Sequence, residues 1–213
     1  MNLFLAKYPS ILKKLYPNRI TRLKEDKSLY LTFDDGPVPE ITPWVLNELK
    51  KHNAKATFFC VGDNIKKNPV IFSQITAHGH GVGNHTYNHL NGWNNKTDYY
   101  LANILQTEEI ISRQNNLEKS KPKLFRPPYG KIKNSQAKTL VKLGYQIVMW
   151  DILSGDFEKR ISKEKCLKNV IVNASAGSII VFHDSIKASR NLKFTLPKVL
   201  KYYKEKGFIF KSL

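Results

Sequence analysis

Leu29-Tyr30-Leu31-Thr32-Phe33-Asp34-Asp35-Gly36-Pro37 decides how this chain is read. Leu29 to Phe33 is an apolar, strand-forming run. It meets two adjacent carboxylates and stops at Gly-Pro, which cannot extend a central strand. Further along come His85-Thr86-Tyr87-Asn88-His89, two histidines four positions apart. Acids and imidazoles at the ends of ordered elements are the donor types of a metal site, with a base beside it. The histidine spacing predicts both rings on one side of a helical turn.

Outward from that stretch, strand-like and helix-like segments alternate. Strands are expected at 29–33, 56–60, 82–84, 123–125, 146–150, 178–182 and 208–210. Helices are expected from Thr42-Pro43 to about His52, then over 64–77, 99–116, 135–143, 162–173 and 196–206. Strands alternating with helices imply a parallel sheet of βα units, hence an α/β fold. The polar clusters Asp34-Asp35, His85, Arg126, 151–156 and His183 all follow strand C-termini, which converge on one face of a βα barrel. An open doubly wound sheet shares that property, but no glycine-rich phosphate loop favours it.

The 213 residues suit one domain, and 41% hydrophobic content supplies a sizeable core. We expect an N-terminal arm over 1–27 packed on a catalytic domain over 28–213. Leu3, Phe4, Ile11, Leu12 and Leu15, with Lys7, Lys13 and Lys14, give the arm an amphipathic character. Thirty-five basic against 17 acidic residues leave a net charge of +18. That balance favours anionic partners such as nucleic acid, phospholipid headgroups or an acidic glycan. The lysines are spread along the whole chain, and no basic–aromatic stretch fits a nucleic-acid motif, so nucleic acid is not expected. Peripheral contact with an anionic membrane is the other reading of the charge. Cys60 and Cys166 lie outside any CxxC, and a reducing compartment is expected. The N-terminal apolar run is too short for a signal peptide or a span, so the expectation is a cytoplasmic or membrane-peripheral monomer.

Taken in order, TFDDGP (32–37), HTYNH (85–89), RPPYG (126–130), WDILSGDF (150–157) and VFHD (181–184) resemble the five motifs of the polysaccharide deacetylase family, the NodB-homology or carbohydrate esterase 4 deacetylases. The resemblance spans residue 29 to about 210. It implies a distorted (β/α) barrel that removes N-acetyl, sometimes O-acetyl, groups from glycans. It implies Asp35, His85 and His89 as ligands of a divalent metal, with Zn²⁺ expected and Co²⁺ or Ni²⁺ compatible. Asp34 corresponds to the general base and Arg126 to the residue that orients it. His183 corresponds to the general acid, tuned by an acid of the fourth motif. That acid is matched to Asp156, with Asp151 as the competing candidate. Tyr129 corresponds to the residue whose backbone N–H faces the oxyanion. Trp150, Phe157 and Val181 correspond to the walls of the acetyl pocket and sugar platform. The family often has Trp or Tyr at position 157 and Leu at 181, so the pocket's shape is left open.

The expected substrate is an N-acetylglucosamine-type polysaccharide, oligosaccharide or lipid-linked sugar, releasing acetate. The alternatives are an O-acetyl esterase or a deformylase of a lipid-linked amino sugar. A basic glycan- or membrane-binding protein without chemistry is the third. His52, His78 and His80 read as helix-end caps. Trp93 reads equally as a sugar platform or a core seal.

Overall fold

The computed structural model describes residues 5–114 and 122–213. Its first half runs α1 (Ser10–Leu15), β1 (Arg19–Ile20), β2 (Ser28–Asp34), α2 (Ile41–Lys51), β3 (Ala56–Cys60), α3 (Gly62–Lys67), α4 (Pro69–Ala77), β4 (Gly81–Asn84) and α5 (Thr97–Gln114). Its second half runs β5 (Lys123–Phe125), α6 (Asn134–Lys142), β6 (Tyr145–Val148), β7 (Ile152–Leu153), α7 (Lys163–Ile171), β8 (Ile179–His183), α8 (Ser189–Glu205) and β9 (Ile209–Phe210). Short 3₁₀ turns lie at Gly92–Asn94 and Pro128–Gly130.

The strands pair in parallel in the order β1-β6-β5-β4-β3-β2-β8-β7, with β9 added beside the start of β2. The sheet curls into a half-barrel with helices outside, the distorted (β/α) barrel anticipated above. Every residue of β2 is buried, as its central place requires. Side chains alternate across it. Leu29, Leu31 and Phe33 join Phe58, Phe182 and residues of α2 and α8 in the outer core, with Phe33 stacked 5.0 Å from Phe58 and 6.0 Å from Phe182. Tyr30 faces the inside of the curl with Phe59, Leu124, Val148 and Ile179.

Register puts the chemistry on one level. Asp34 lies opposite Phe59 on one side and His183 on the other. The next rung runs Cys60, Asn84, Phe125, Ile147. His85 and Arg126 therefore each begin one residue beyond that rung, and Asp35 one residue beyond Asp34.

The N-terminal segment touches both free edges of the sheet. Tyr8 N–H donates to the Asp151 carbonyl at 2.9 Å and Leu153 N–H to that of Ala6 at 2.8 Å. Arg19 and Ile20 then pair with Ile147 and Val148 on the opposite edge. Edge strands present unpaired backbone groups, and this segment occupies them. Ile11 and Leu15 remain exposed, while Leu3 and Phe4 lie outside the described residues. No helix among the described residues is long and apolar enough to cross a membrane.

Four expected elements differ. The helix read over 64–77 is two helices, broken where Asn68 leaves the helical region (φ −130°, ψ 56°) before Pro69. The helix read to 116 is described to Gln114, and residues 115 and 116 lie outside the described residues. The strand read to Trp150 ends at Val148, because the chain crosses the sheet seam and begins β7 at Ile152. The last helix starts at Ser189, well before 196, and Pro197 lies inside it. Its buried stripe, Leu192, Leu196, Val199, Leu200 and Tyr203, carries the helix through the proline.

Candidate active site

Asp34 ends β2 as a nearly buried carboxylate, and Arg126, 1% exposed, stands against it. Arg126 Nη1 donates to Asp34 Oδ1 at 2.6 Å and to Thr32 Oγ1 at 2.8 Å. Its Nη2 donates to the Met149 carbonyl at 2.8 Å, and its guanidinium lies 4.1 Å over the Phe59 ring. A buried arginine is tolerated only with its donors satisfied and its charge paired, and both conditions hold here. The arginine therefore fixes Asp34 rather than merely neutralising it.

Asp35 takes the left-handed backbone region at φ 84°, which turns its side chain towards His85 and His89. Its Oδ1 lies 3.3 Å from His89 Nε2 and 3.9 Å from His85 Nε2. It is buried, yet accepts no hydrogen bond among the described residues. A buried carboxylate oxygen left without a donor calls for a cation. The three donor atoms lie within 4.8 Å of one another, close enough to share one ion. Both imidazoles are oriented from behind: His85 Nδ1 donates to the Arg126 carbonyl at 2.7 Å, and His89 Nδ1 lies 3.1 Å from the Tyr129 hydroxyl. Such contacts leave Nε2 forward as the ligand atom. Burial first, and the His89 charge with it, pulls His85 down to about 4 and keeps it neutral as a ligand must be. Burial alone would raise the Asp35 carboxyl. The approach of His89 and the charges of His183 and His85 outweigh that and hold it well below the usual carboxylate range.

The histidines do not share a helical turn. Residues 85–91 form a loop, with Thr86 at φ 65° and His89 at φ 55°. Side chains supply its partners: Asn84 Oδ1 accepts from Thr86 N–H at 2.9 Å and Asn103 Oδ1 from Tyr87 N–H at 2.7 Å. Asn103 comes from α5, remote in sequence. Its sequence signal is a single buried amide on the apolar stripe Tyr100, Ile104, Thr107 and Ile111. Non-glycine residues at positive φ concentrate here: Asp35, Thr86, His89 and Tyr129 all border the site.

His183 closes β8 beside Asp34. Its Nδ1 lies 2.8 Å from Asp156 Oδ1, and its backbone N–H donates to Asp156 Oδ2 at 2.7 Å. Burial opposes the imidazolium, but Asp156, then Asp35 and Asp34, raise His183 to about 9. The ring is therefore charged at neutral pH. The competing Asp151 is elsewhere: it accepts from Lys13 Nζ at 2.8 Å and Ser178 Oγ at 2.7 Å.

The remaining expected residues surround this centre. Phe157 packs edge-on to His183 at 4.8 Å. Val181 is buried one pleat behind His183 on the same face of β8. Trp150 closes against Gly130, where an added Cβ would meet its ring at 2.7 Å. Tyr129 is 62% exposed, its ring 4.7 Å from His89. Asp184, given no role from the sequence, accepts from Gly36 N–H at 3.0 Å and Thr42 Oγ1 at 2.6 Å, tying the two strand ends together. Of the three histidines read as caps, His52 and His78 end α2 and α4, whereas His80 accepts from Ala56 N–H at 3.3 Å. Both cysteines are free and buried, and burial pushes the Cys166 thiol up to about 12.

The polysaccharide deacetylase family model matches residues 21–148, more than half of the chain. The chain belongs to the polysaccharide deacetylase family. A peptidoglycan-N-acetylglucosamine deacetylase of Bacillus cereus is 40% identical over 187 residues, covering 86% of this chain and 66% of that protein, about two thirds of its length. A chitooligosaccharide deacetylase of Azorhizobium caulinodans is 35% identical over 170 residues, covering 78% of this chain and 77% of the relative. Among solved structures, the peptidoglycan N-acetylglucosamine deacetylase Bc1960, in complex with a naphthalenyl N-hydroxybenzamide, superposes with a TM-score of 0.87. That pair is 36% identical and covers 97% of this chain and 95% of the other. This member of the family thus has peptidoglycan and chitooligosaccharide deacetylases among its relatives.

Proposed function

We propose that this polysaccharide deacetylase hydrolyses the N-acetyl groups of N-acetylglucosamine-type glycans, releasing acetate. The observation that carries the reading is the pairing of Asp34 with His183 across adjacent strands, each backed by its own buried counter-charge. Asp35, His85 and His89 would hold a divalent ion, and mixed carboxylate and imidazole donors favour Zn²⁺, with Co²⁺ and Ni²⁺ accepted by the same set. When bound, such an ion polarises the acetamide carbonyl and lowers the pKa of water.

The chain's own groups do the rest. Asp34, fixed by Arg126, takes the proton of the attacking water on the oxygen that Arg126 does not engage. The Tyr129 backbone N–H, held in a turn stiffened by Pro127 and Pro128, donates to the oxyanion. His183, charged at neutral pH, passes its Nε2 proton to the departing amine, while Asp156 holds Nδ1 and the ring's orientation. Phe157, Trp150 and Val181 supply apolar walls suited to an acetyl methyl group.

The test is acetate release from acetylated chitooligosaccharides by metal-stripped protein, with and without added Zn²⁺, Co²⁺ or Ni²⁺. Metal-restored acetate is the expected result. Stoichiometric metal binding with no acetate from any N-acetylated glycan would overturn it and direct the search to formyl or O-acetyl substrates.

A further inference from the structure

Residues 1–24 and 119–150 contain neither Asp nor Glu. The fold lays these two acid-free stretches together at one flank of the barrel. β1 pairs with β6, and Tyr8 and Leu12 pack into one core cluster with Leu140, Tyr145 and Ile147. Around that shared core, large apolar side chains stand in solvent. Ile11 and Leu15, four apart on α1, are 65% and 62% exposed, and Leu5, Val141 and Leu143 are exposed as well. Lys7, Lys14, Lys138 and Lys142 alternate with them along the chain, and all four are exposed. None of the four has a carboxylate within 4.0 Å among the described residues, whereas Lys51, Lys67 and Lys201 do. α8 is also basic, but it exposes no large apolar side chain.

We propose that this flank docks on the surface of an anionic lipid bilayer. Apolar side chains set among ammonium groups can enter the headgroup region while the lysines meet the anionic headgroups. A soluble polyanion would satisfy the lysines but leave Ile11 and Leu15 in water, so the apolar residues decide for lipid. The same core cluster reaches the site. Trp150 packs against it, meets Tyr8 edge-on at 5.5 Å and closes against Gly130. Docking therefore brings the site to glycans held near a membrane, whichever acyl group is removed.

The experiment is co-sedimentation of the full chain with vesicles of phosphatidylcholine, alone or mixed with phosphatidylglycerol. Binding should require the anionic lipid and weaken as salt is raised. Each lysine near an anionic bilayer strengthens binding about fivefold, so Lys14→Gln with Lys142→Gln should weaken it roughly 25-fold. Ile11→Ser with Leu15→Ser should weaken vesicle binding about tenfold and leave binding to soluble polyglutamate unchanged. Lys198→Gln with Lys201→Gln makes the same charge change on α8 and should weaken vesicle binding less than about twofold. The changed side chains are exposed or half-exposed, so the melting temperature should stay within a few degrees throughout. Equal losses from the two lysine pairs would mean that net charge alone attracts the protein, and would overturn the proposal. So would an absence of binding to the anionic vesicles, or vesicle binding that ignores the Ile11 and Leu15 changes. No step of this test reads acetate, so its outcome is separate from that of the deacetylase reading.

Discussion

Asp151 and Asp156 lie in one stretch, are 0% and 1% exposed, and both face cations. Asp156 grips His183 by ring and backbone at the C-terminal end of β8. Asp151 is near the other end of that strand, where its backbone N–H donates to the Ile179 carbonyl at 2.9 Å and its carboxylate takes Ser178, Lys13 and, at 3.4 Å, Arg22. Burial and charge pairing are thus common to a carboxylate that serves the site and one that anchors the N-terminal segment. What separates them is the partner: an imidazole beside Asp34, or side chains that hold a sheet edge.

The two acids are therefore expected to fail in different ways, and Asp34 sets the upper end of the scale. Asp34→Asn should keep stoichiometric Zn²⁺ binding by calorimetry and lose about 10³-fold in kcat, the range of a general base. Asp156→Asn should lose about 10²-fold and change the pH profile as well. With His183 as the acid proposed above, wild-type turnover should fall as pH rises through about 9. Without Asp156, burial depresses the imidazolium against the charges of Asp35 and Asp34 alone, and the alkaline limb should move down. An unmoved limb would break the link between Asp156 and the acid.

Gly36 joins the metal side to the acid side, since Asp184 reaches its N–H from beyond His183. A Cβ at position 36 would stand 1.9 Å from Asp184 Oδ2, so Gly36→Ala must displace that carboxylate or the loop that carries Asp35. Metal affinity should fall about 10- to 100-fold, as for other losses of ligand support. Competition with a chromogenic chelator measures it.

Legibility followed the same division. Asp34, Asp35, Arg126 and His183 were readable because strand periodicity locates strand ends, and the register then brings those ends together. The loop conformation of His85 and His89 was not, because Asn103 imposes it from a distant helix. Asp151 and Asp156 could not be told apart by pattern. The strand between them, Ile152–Leu153, is too short to show alternation, and Lys13 and Arg22 reach Asp151 only through the folded arm. Asp184 stood in plain view beside His183, but its partners Gly36 and Thr42 are joined to it only by β2–β8 pairing.

The smallest catalytic effect is expected at Asp151. Asp151→Asn leaves Asp34, Asp156 and the metal ligands untouched, so kcat should change less than about twofold and the alkaline limb should stay in place. Its cost falls on stability, because Lys13 and Arg22 lose their anion and Ser178 its strongest acceptor. With both cations partly exposed, a loss of about 1–3 kcal/mol is expected, a few degrees to about ten in Tm by calorimetry. The pH dependence identifies the cause. Burial raises the Asp151 carboxyl, but Lys13, Ser178 and Arg22 outweigh it and lower the pKa in the fold. That stabilisation is complete above the unfolded value of 3.8 and disappears as pH falls through the lower folded value. The Tm difference between wild type and variant should therefore be full at pH 6 and shrink below pH 3.8. A difference that stays constant through that range would mean that shape, not charge, fastens the N-terminal segment to the barrel.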